Sequence, residues 1–378
     1  MPRLALVVNE PPPYRIPVFN RLAALPGVDL RVIFCCRREP NRQWNLPHME
    51  FDYVFLNERV RTVHGRYIHN NPDVLLALTR FDPKVVIGNG FNPTHLYAVL
   101  WTMLHRRAYV PMTDGTLDSE KHLGQLHRRV RHFVYRRAPA MIAASKGGLA
   151  LYRSYGVDER RCHMSCLCVD NGRFRARLQA MPKAWDFIVC GRLEPGKAPE
   201  FALQVAERCA RILNRKTRLI FVGSGSLEVS LKAQASEIAS FVDTHFHGFA
   251  RQEDLPGLYQ SARIFLFPTR ADVWGVVANE ACAAGLPVIV TPHAGVAGEL
   301  IIDGKNGYVR ELNIDDWTAC ALRLLRHPAR CAAFGRHAEL LVENYHFDAA
   351  ARGMAEAALA ALTPPQSLTQ AVVRRPVW

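Results

Sequence analysis

Residues Pro268 to Pro287 read Pro-Thr-Arg-Ala-Asp-Val-Trp-Gly-Val-Val-Ala-Asn-Glu-Ala-Cys-Ala-Ala-Gly-Leu-Pro. The apolar run Ala262 to Phe267 before them predicts a buried strand. Pro268, Thr269 and Gly275 mark a loop. Val276 to Ala284 has the composition of a short helix, stopped by Gly285 and Pro287. Val288 to Val290 follows as the next strand. A loop of this kind points backbone N–H groups and the positive end of a helix at one place, which suits an anion. Two carboxylates flank that place, Asp272 before the helix and Glu280 on it.

The rest of the second half repeats the strand, loop, helix pattern. Phe187 to Cys190 predicts a strand, followed by Gly191-Arg192-Leu193-Glu194-Pro195-Gly196-Lys197. A helix from Pro199 to Leu213 leads to a strand at Arg218 to Val222 and then Gly223-Ser224-Gly225. A helix near Leu227 to Ile238, a strand ending near Phe246, Gly248-Phe249 and a helix at Asp254 to Ser261 complete the run. Neither glycine cluster fits Gly-x-Gly-x-x-Gly, which argues against a nicotinamide dehydrogenase. No Gly-Lys-Ser/Thr loop occurs, which argues against a kinase or NTPase.

In order and spacing these residues resemble retaining glycosyltransferases of the GT-B fold, family 4. The resemblance is close over residues 187–309, including Asp303-Gly304 and Asn306-Gly307, and loose over residues 1–170. It implies two Rossmann-like, doubly wound α/β domains facing a central cleft, with a last helix crossing back to the first domain. It also implies that Arg192 and Lys197 neutralise the diphosphate of a nucleotide-sugar donor. Glu280 would take the ribose, Phe249 the base pocket and Asp272 the transferred sugar. Gly191, Gly223, Trp274, Gly275 and Val276 complete the donor set. Asp272 stands where the family usually has Glu, and Ala198 where it prefers Gly. The family is usually metal-independent, so no cofactor beyond the donor is expected.

The first half reads as the same class. Strands are expected at Leu4–Val8, Leu30–Phe34, Tyr53–Leu56, Val85–Ile87, Ala108–Pro111 and Met141–Ala144. Helices are expected around Ile16–Ala24, Pro72–Thr79 and Thr94–His105, with one long helix from Ser119 to Arg137. Ligands in such sheets bind beyond the carboxyl ends of the strands, which singles out 9–14, 89–92 and 113–116. Glu10-Pro-Pro-Pro-Tyr-Arg15 is a stiff loop that either shapes an acceptor site or simply leads into the first helix. Asp114 takes the place of a His that reaches the donor sugar in the family, and otherwise reads as a turn or cap residue.

Residues 1–175 carry 26 Lys and Arg against 14 Asp and Glu, nearly all of the net charge of +14. This half is expected to face something anionic. Leu123, Leu126, Val130, Phe133 and Val134 repeat at helical spacing among many basic residues. Residues 119–137 are therefore either a solvated basic face or a docking face for an anionic membrane. Nucleic acid is not expected as a partner, because no binding module is visible and the aromatics form no stacking platform.

A chain of 378 residues suits two domains, here 1–175 and 183–345. The returning helix is expected at 346–362, a basic linker at 173–183 and a mobile tail at 363–378. No apolar run reaches the length of a membrane helix, and Leu4 to Val8 is too short for a signal peptide core. A cytoplasmic protein is expected, peripheral at the inner face of the membrane if the basic face docks there. Its ten cysteines then read as free thiols, Cys162, Cys166 and Cys168 beside His163 included. The function expected is sugar transfer to a hydroxyl of a lipid-linked or cell-surface glycan, as in polysaccharide biosynthesis. The alternatives are a nucleotide-sugar epimerase of the same architecture and a nucleotide-sugar-binding protein without turnover.

Overall fold

The computed structural model describes residues 3–40, 46–63, 66–175 and 183–363. The first domain holds β1 (Arg3–Val8), β2 (Asp29–Phe34), β3 (Asp52–Phe55), a hairpin of β4 (Val60–Val63) and β5 (Arg66–His69), then β6 (Val85–Gly88), β7 (Ala108–Thr113), β8 (Met141–Ala143) and β9 (Cys162–Met164). Its seven-stranded sheet has the order β3-β2-β1-β6-β7-β8-β9 and is parallel throughout. The second domain holds β10 (Trp185–Cys190), β11 (Thr217–Val222), β12 (Val242–Gly248), β13 (Ala262–Phe267), β14 (Val288–Val290) and β15 (Gly307–Val309). Its six strands have the order β12-β11-β10-β13-β14-β15, again all parallel.

Parallel sheets need cover on both faces, so their strands read as apolar runs rather than alternations. In β1, Leu4, Leu6 and Val8 face helix Ile16–Ala23 and the last helix, Phe347–Leu362. Ala5 and Val7 face helices Val74–Phe81, Pro93–Leu104 and Gln125–Arg137. The second sheet is covered on one face by helices Leu255–Gln260, Val276–Ala283 and Pro328–Val342. On the other face lie helices Pro199–Leu213, Glu228–Glu237 and Ile314–Leu325. The last helix thus belongs to the first core although it follows the second in sequence. Asn171 ties the two crossings together, its Nδ2 donating to the carbonyls of Val342 and Tyr345 at 2.9 and 3.0 Å.

The expected helix from Ser119 to Arg137 is broken. A short turn, Leu117–Glu120, is closed by a capping box between Thr116 and Ser119, and helix Gln125–Arg137 starts afresh after Gly124 in an extended conformation. Arg128 seals the joint by donating to the carbonyls of Leu123 and Lys121 at 3.0 and 3.1 Å. The apolar repeat therefore does not lie on one buried stripe: Val134 is buried, whereas Leu126 is 71% exposed. Arg131 is not a free surface cation either, because it pairs with Glu120 at 2.8 Å and lies over the Phe91 ring. The β4–β5 hairpin and β9 were not expected. Both are short, and the hairpin is polar and exposed on β4. The linker expected at 173–183 begins as helix Asn171–Arg175, and its residues 176–182 lie outside the described residues, as does the expected tail from 364 onward.

Candidate donor site at the strand ends of the second domain

The site is built where β10, β11, β12 and β13 end. Gly191 N donates to Val222 O at 2.9 Å and Gly223 N to Gly248 O at 2.7 Å, so three loops run side by side. Gly223 is required there: its φ is +131°, and a Cβ would collide with the carbonyl oxygen of Gly191. The loop after β10 is stapled to the next by Leu193 N to Ser224 O at 3.0 Å, and Ser226 Oγ donates to Glu194 at 2.6 Å. Its end is a single tight turn, Pro195–Lys197, followed by Ala198 at a φ of +43°. That left-handed backbone is where glycine costs least, which accounts for the family preference at this position.

The turn delivers Lys197 to the loop after β13. Lys197 Nζ donates to Asp272 Oδ2 at 2.6 Å, both side chains being about three-quarters buried. Asp272 Oδ1 accepts from Trp274 N at 3.2 Å. The Asp272 backbone is held by His293 O and Gly295 N. Gly275 then opens helix Val276–Ala283 at a φ of +102°, and a Cβ there would strike the Phe267 ring. The Trp274 indole is not a ligand-facing ring. It is buried, lies 5.3 Å from the Tyr345 ring, and donates from Nε1 to Asn279 Oδ1 at 2.7 Å.

Two adjoining cavities open from this framework. One, of about 430 Å³, is lined by Lys197, Asp272, Trp274, Gly275 and Val276, and on the first-domain side by Tyr14, Asp114 and Leu167. The other, of about 220 Å³, is lined by Gly223, Phe249, Arg251, Gln252 and Glu280. They share Cys190, Gly191, Arg192 and Val277. Arg192 is exposed and makes no ion pair among the described residues, so its charge is available at the junction.

Glu280 is only 9% exposed. Burial pushes its carboxyl up to about 7, against the opposing effects of Tyr259 and Arg173. Tyr259, fully buried, donates to Glu280 Oε2 at 2.8 Å, and burial raises its own phenol well above the usual value. Cys190 lies against the same pair, and burial pushes its thiol up to about 12. Asp114 sits at the end of β7, where its Oδ1 accepts from Arg15 Nη2 at 2.8 Å. Asp114 and every residue of the donor set named from the resemblance line one of the two cavities, whereas of the first-domain loops singled out at 9–14, 89–92 and 113–116 only Tyr14 and Asp114 do. Two residues were not named, Tyr259 behind Glu280 and Asn279 behind Trp274, and Arg15 was named for its loop rather than as the partner of Asp114. Arg15 had a signal in the stiff loop that carries it; Tyr259 had none. Among the described residues no group of three or more His, Cys, Asp or Glu side chains is placed to hold a metal ion.

A positive junction between a pocket with a buried carboxylate and a wider cleft can hold an elongated ligand with anionic groups in its middle. The comparisons agree with this architecture. Residues 170–340 match the family model for glycosyl transferases group 1. A D-inositol 3-phosphate glycosyltransferase of Rhodococcus opacus is 29% identical over 221 residues, covering 54% of this chain and 49% of that protein. A mannosylfructose-phosphate synthase of Agrobacterium fabrum is 27% identical over 221 residues, covering 52% and 47%. The chain spans about half the length of the curated relatives it matches. The crystal structure of Anabaena HepE in complex with UDP superposes with a TM-score of 0.74 at 16% identity, covering 94% of this chain and 98% of that one. WaaG, a glycosyltransferase involved in lipopolysaccharide biosynthesis, superposes at 0.66 and 18% identity, covering 93% and 98%. The chain has the GT-B fold and resembles the group 1 glycosyltransferases.

Proposed function

We propose that the chain transfers a sugar from a nucleoside diphosphate sugar to a hydroxyl of a lipid-linked or cell-surface glycan, with retention at the anomeric carbon. The observation that carries this reading is the pair of cavities joined at Arg192. The nucleoside fits the smaller one, where Glu280 accepts from the ribose hydroxyls. The diphosphate lies at the junction, against Arg192, Lys197 and the N-terminal end of helix Val276–Ala283. The sugar reaches Asp272 on one wall and Asp114 on the other. Preorganised cations and amides stabilise the charge that grows on the departing diphosphate. The bond from the anomeric carbon to the phosphate oxygen breaks, the bond to the acceptor oxygen forms, and the acceptor proton passes to the leaving phosphate. Asp272 is paired with Lys197 and Asp114 with Arg15, so a cation holds each carboxylate in place at the cavity. Retention is taken from the family these residues resemble, and the product anomer tests it. The same cations let the chemistry run without a metal.

HepE was solved with UDP and with UDP-glucose, so uridine donors head the panel to be tested. The names of the curated relatives make D-inositol 3-phosphate a necessary acceptor control. The test is a thermal-shift screen of nucleotide sugars, followed by transfer assays and determination of the product anomer by NMR. Loss of donor without a glycosylated product, or an epimerised donor, rejects transfer.

An anionic membrane is the second partner in this reading. Arg128, Arg129, His132, Arg136 and Arg137 line an open basin of about 740 Å³ with Phe133 and Tyr155. Exposed Leu126 and Phe133 lie on the same helix, and Leu100, Met103 and Leu104 on the neighbouring one. Among the described residues no helix is long and apolar enough to cross a membrane. Basic residues contribute about 1 kcal/mol each near an anionic surface, and exposed apolar side chains add to that. This supports peripheral attachment at the cytoplasmic face.

A further inference from the structure

We propose that Arg15 is a positioning residue for transfer: it fixes the Asp114 carboxylate opposite Asp272 across the wider cavity. The inference rests on the donor-site reading above and extends it to a residue outside the cavity lining. Arg15 follows three buried prolines and is itself 1% exposed. Its Nη2 donates to Asp114 Oδ1 at 2.8 Å. Its Nη1 donates to the carbonyl and the hydroxyl of Ser165, both at 3.0 Å, and to Cys166 O at 3.3 Å. One guanidinium therefore joins the first loop, the end of β7 and the segment leaving β9.

Purely as packing, this is a costly choice. A buried charge pays several kcal/mol in desolvation, and apolar residues of similar volume often stabilise as well or better. What the planar guanidinium provides is direction: with Nη1 fixed on Ser165 and Cys166, Nη2 is aimed at one oxygen of the Asp114 carboxylate. Among the described residues Asp114 is the single carboxylate it holds, and that side chain remains 31% exposed, on the cavity side. The anchor at Ser165 and Cys166 also leads into the second domain. The next residue, Leu167, accepts at its carbonyl from Asn279 Nδ2 at 3.2 Å. Asn279 Oδ1 accepts from Trp274 Nε1 at 2.7 Å, and Trp274 N donates to Asp272 Oδ1 at 3.2 Å. Hydrogen bonds, joined through the Cys166–Leu167 peptide and through the Asn279 and Trp274 residues, thus link Asp114 by way of Arg15 to Asp272, which ties the two walls that meet the sugar. Arg15 places one cavity carboxylate, Asp114, directly, as the Trp274 N–H places the other, Asp272.

The test is a double-mutant cycle on the full chain with Arg15→Gln, Asp114→Asn and the pair, using the donor identified by the thermal-shift panel. Each single change should lower kcat about ten-fold or more, with donor affinity by calorimetry within about two-fold of wild type. The pair should fall no more than about two-fold below the weaker single variant, because both changes remove one unit. Arg15→Lys should recover part of the loss, and it serves as the variant to measure if Arg15→Gln melts well below wild type. Wild-type kcat in Arg15→Gln, or in Arg15→Lys where that variant stands in, overturns the inference. So does a double variant that shows the product of the two single effects. A wild-type protein that binds the donor but transfers nothing overturns the function reading instead.

Discussion

Donor binding should depend on pH, with Glu280 as the titrating group. To accept from two ribose hydroxyls the carboxylate must be ionised, yet burial pushes it up to about 7. Binding of an intact nucleotide sugar should therefore strengthen as pH rises through 7. For an acid of that pKa, the affinity at pH 6 is about ten-fold below its plateau, and at pH 8 it is close to the plateau. The doubly esterified diphosphate of a nucleotide sugar does not titrate in this range, so the profile reports the protein. The groups facing Glu280 are Tyr259, Cys190 and Arg173, and the Tyr259 hydroxyl is the one that hydrogen-bonds it, at 2.8 Å. A hydrogen bond to a charged acceptor contributes about 1.5–3 kcal/mol, or roughly one to two pKa units. Tyr259→Phe should displace the binding profile upward by that amount. Its affinity at pH 7 should be about ten-fold weaker and should recover toward wild type near pH 9. Calorimetry at pH 6, 7, 8 and 9, repeated in buffers of different ionisation enthalpy, measures both the affinity and the proton released. A flat profile for the wild type, or an equal loss in Tyr259→Phe at every pH, refutes the reasoning.

Because the Glu280 pKa is raised on folding, the group costs stability as pH rises from about 4.5 to about 7. Glu280→Gln should then raise the melting temperature by several degrees at pH 8 and leave it unchanged near pH 4, an effect on the order of 3 kcal/mol at most. Arg192→Ala and Lys197→Ala should each weaken donor use about ten-fold or more without unfolding, from the loss of a charge-assisted contact; unchanged donor kinetics in both would contradict the diphosphate assignment. Asp272→Ala should lower turnover more than nucleotide affinity, whereas Glu280→Ala should weaken the free nucleoside diphosphate as well; equal losses in nucleotide affinity would reject that division. Binding to anionic vesicles should be salt-sensitive and should fall on replacing Arg129 and Arg136 by Ser and Leu126 by Ser, with Arg131 left in place because it holds Glu120; equal binding to neutral and anionic vesicles would favour a solvated face.

Much of the fold was legible because parallel strands buried on both faces leave uninterrupted apolar runs, as at Leu4–Val8 and Ile264–Phe267. Their carboxyl ends then located the loops. Less was legible where a local pattern continued through a break. The apolar spacing from Leu123 to Val134 persists across Gly124, so periodicity alone could not show that the chain turns there. Short edge strands such as β9, three residues long, carry too little pattern to register. The side-chain pairs that give the site its electrostatics were not legible at all. Lys197 and Asp272 are 75 residues apart, and Arg15 and Asp114 are 99 apart. Each pair forms only because two strands end at the same edge of a sheet. Ala198 shows the converse: a departure from the family pattern whose physical meaning, a left-handed backbone, appears only in three dimensions.

In this reading a nucleotide sugar spans both cavities with its diphosphate at Arg192. Calorimetric titration of the best donor from the panel into wild type, Arg192→Ala and an Arg129→Ala surface control tests it most directly. One-to-one binding in wild type and control, weakened about ten-fold or more in Arg192→Ala, is the expected result. Equal affinity in all three proteins, or binding to none of the nucleotide sugars, would contradict it.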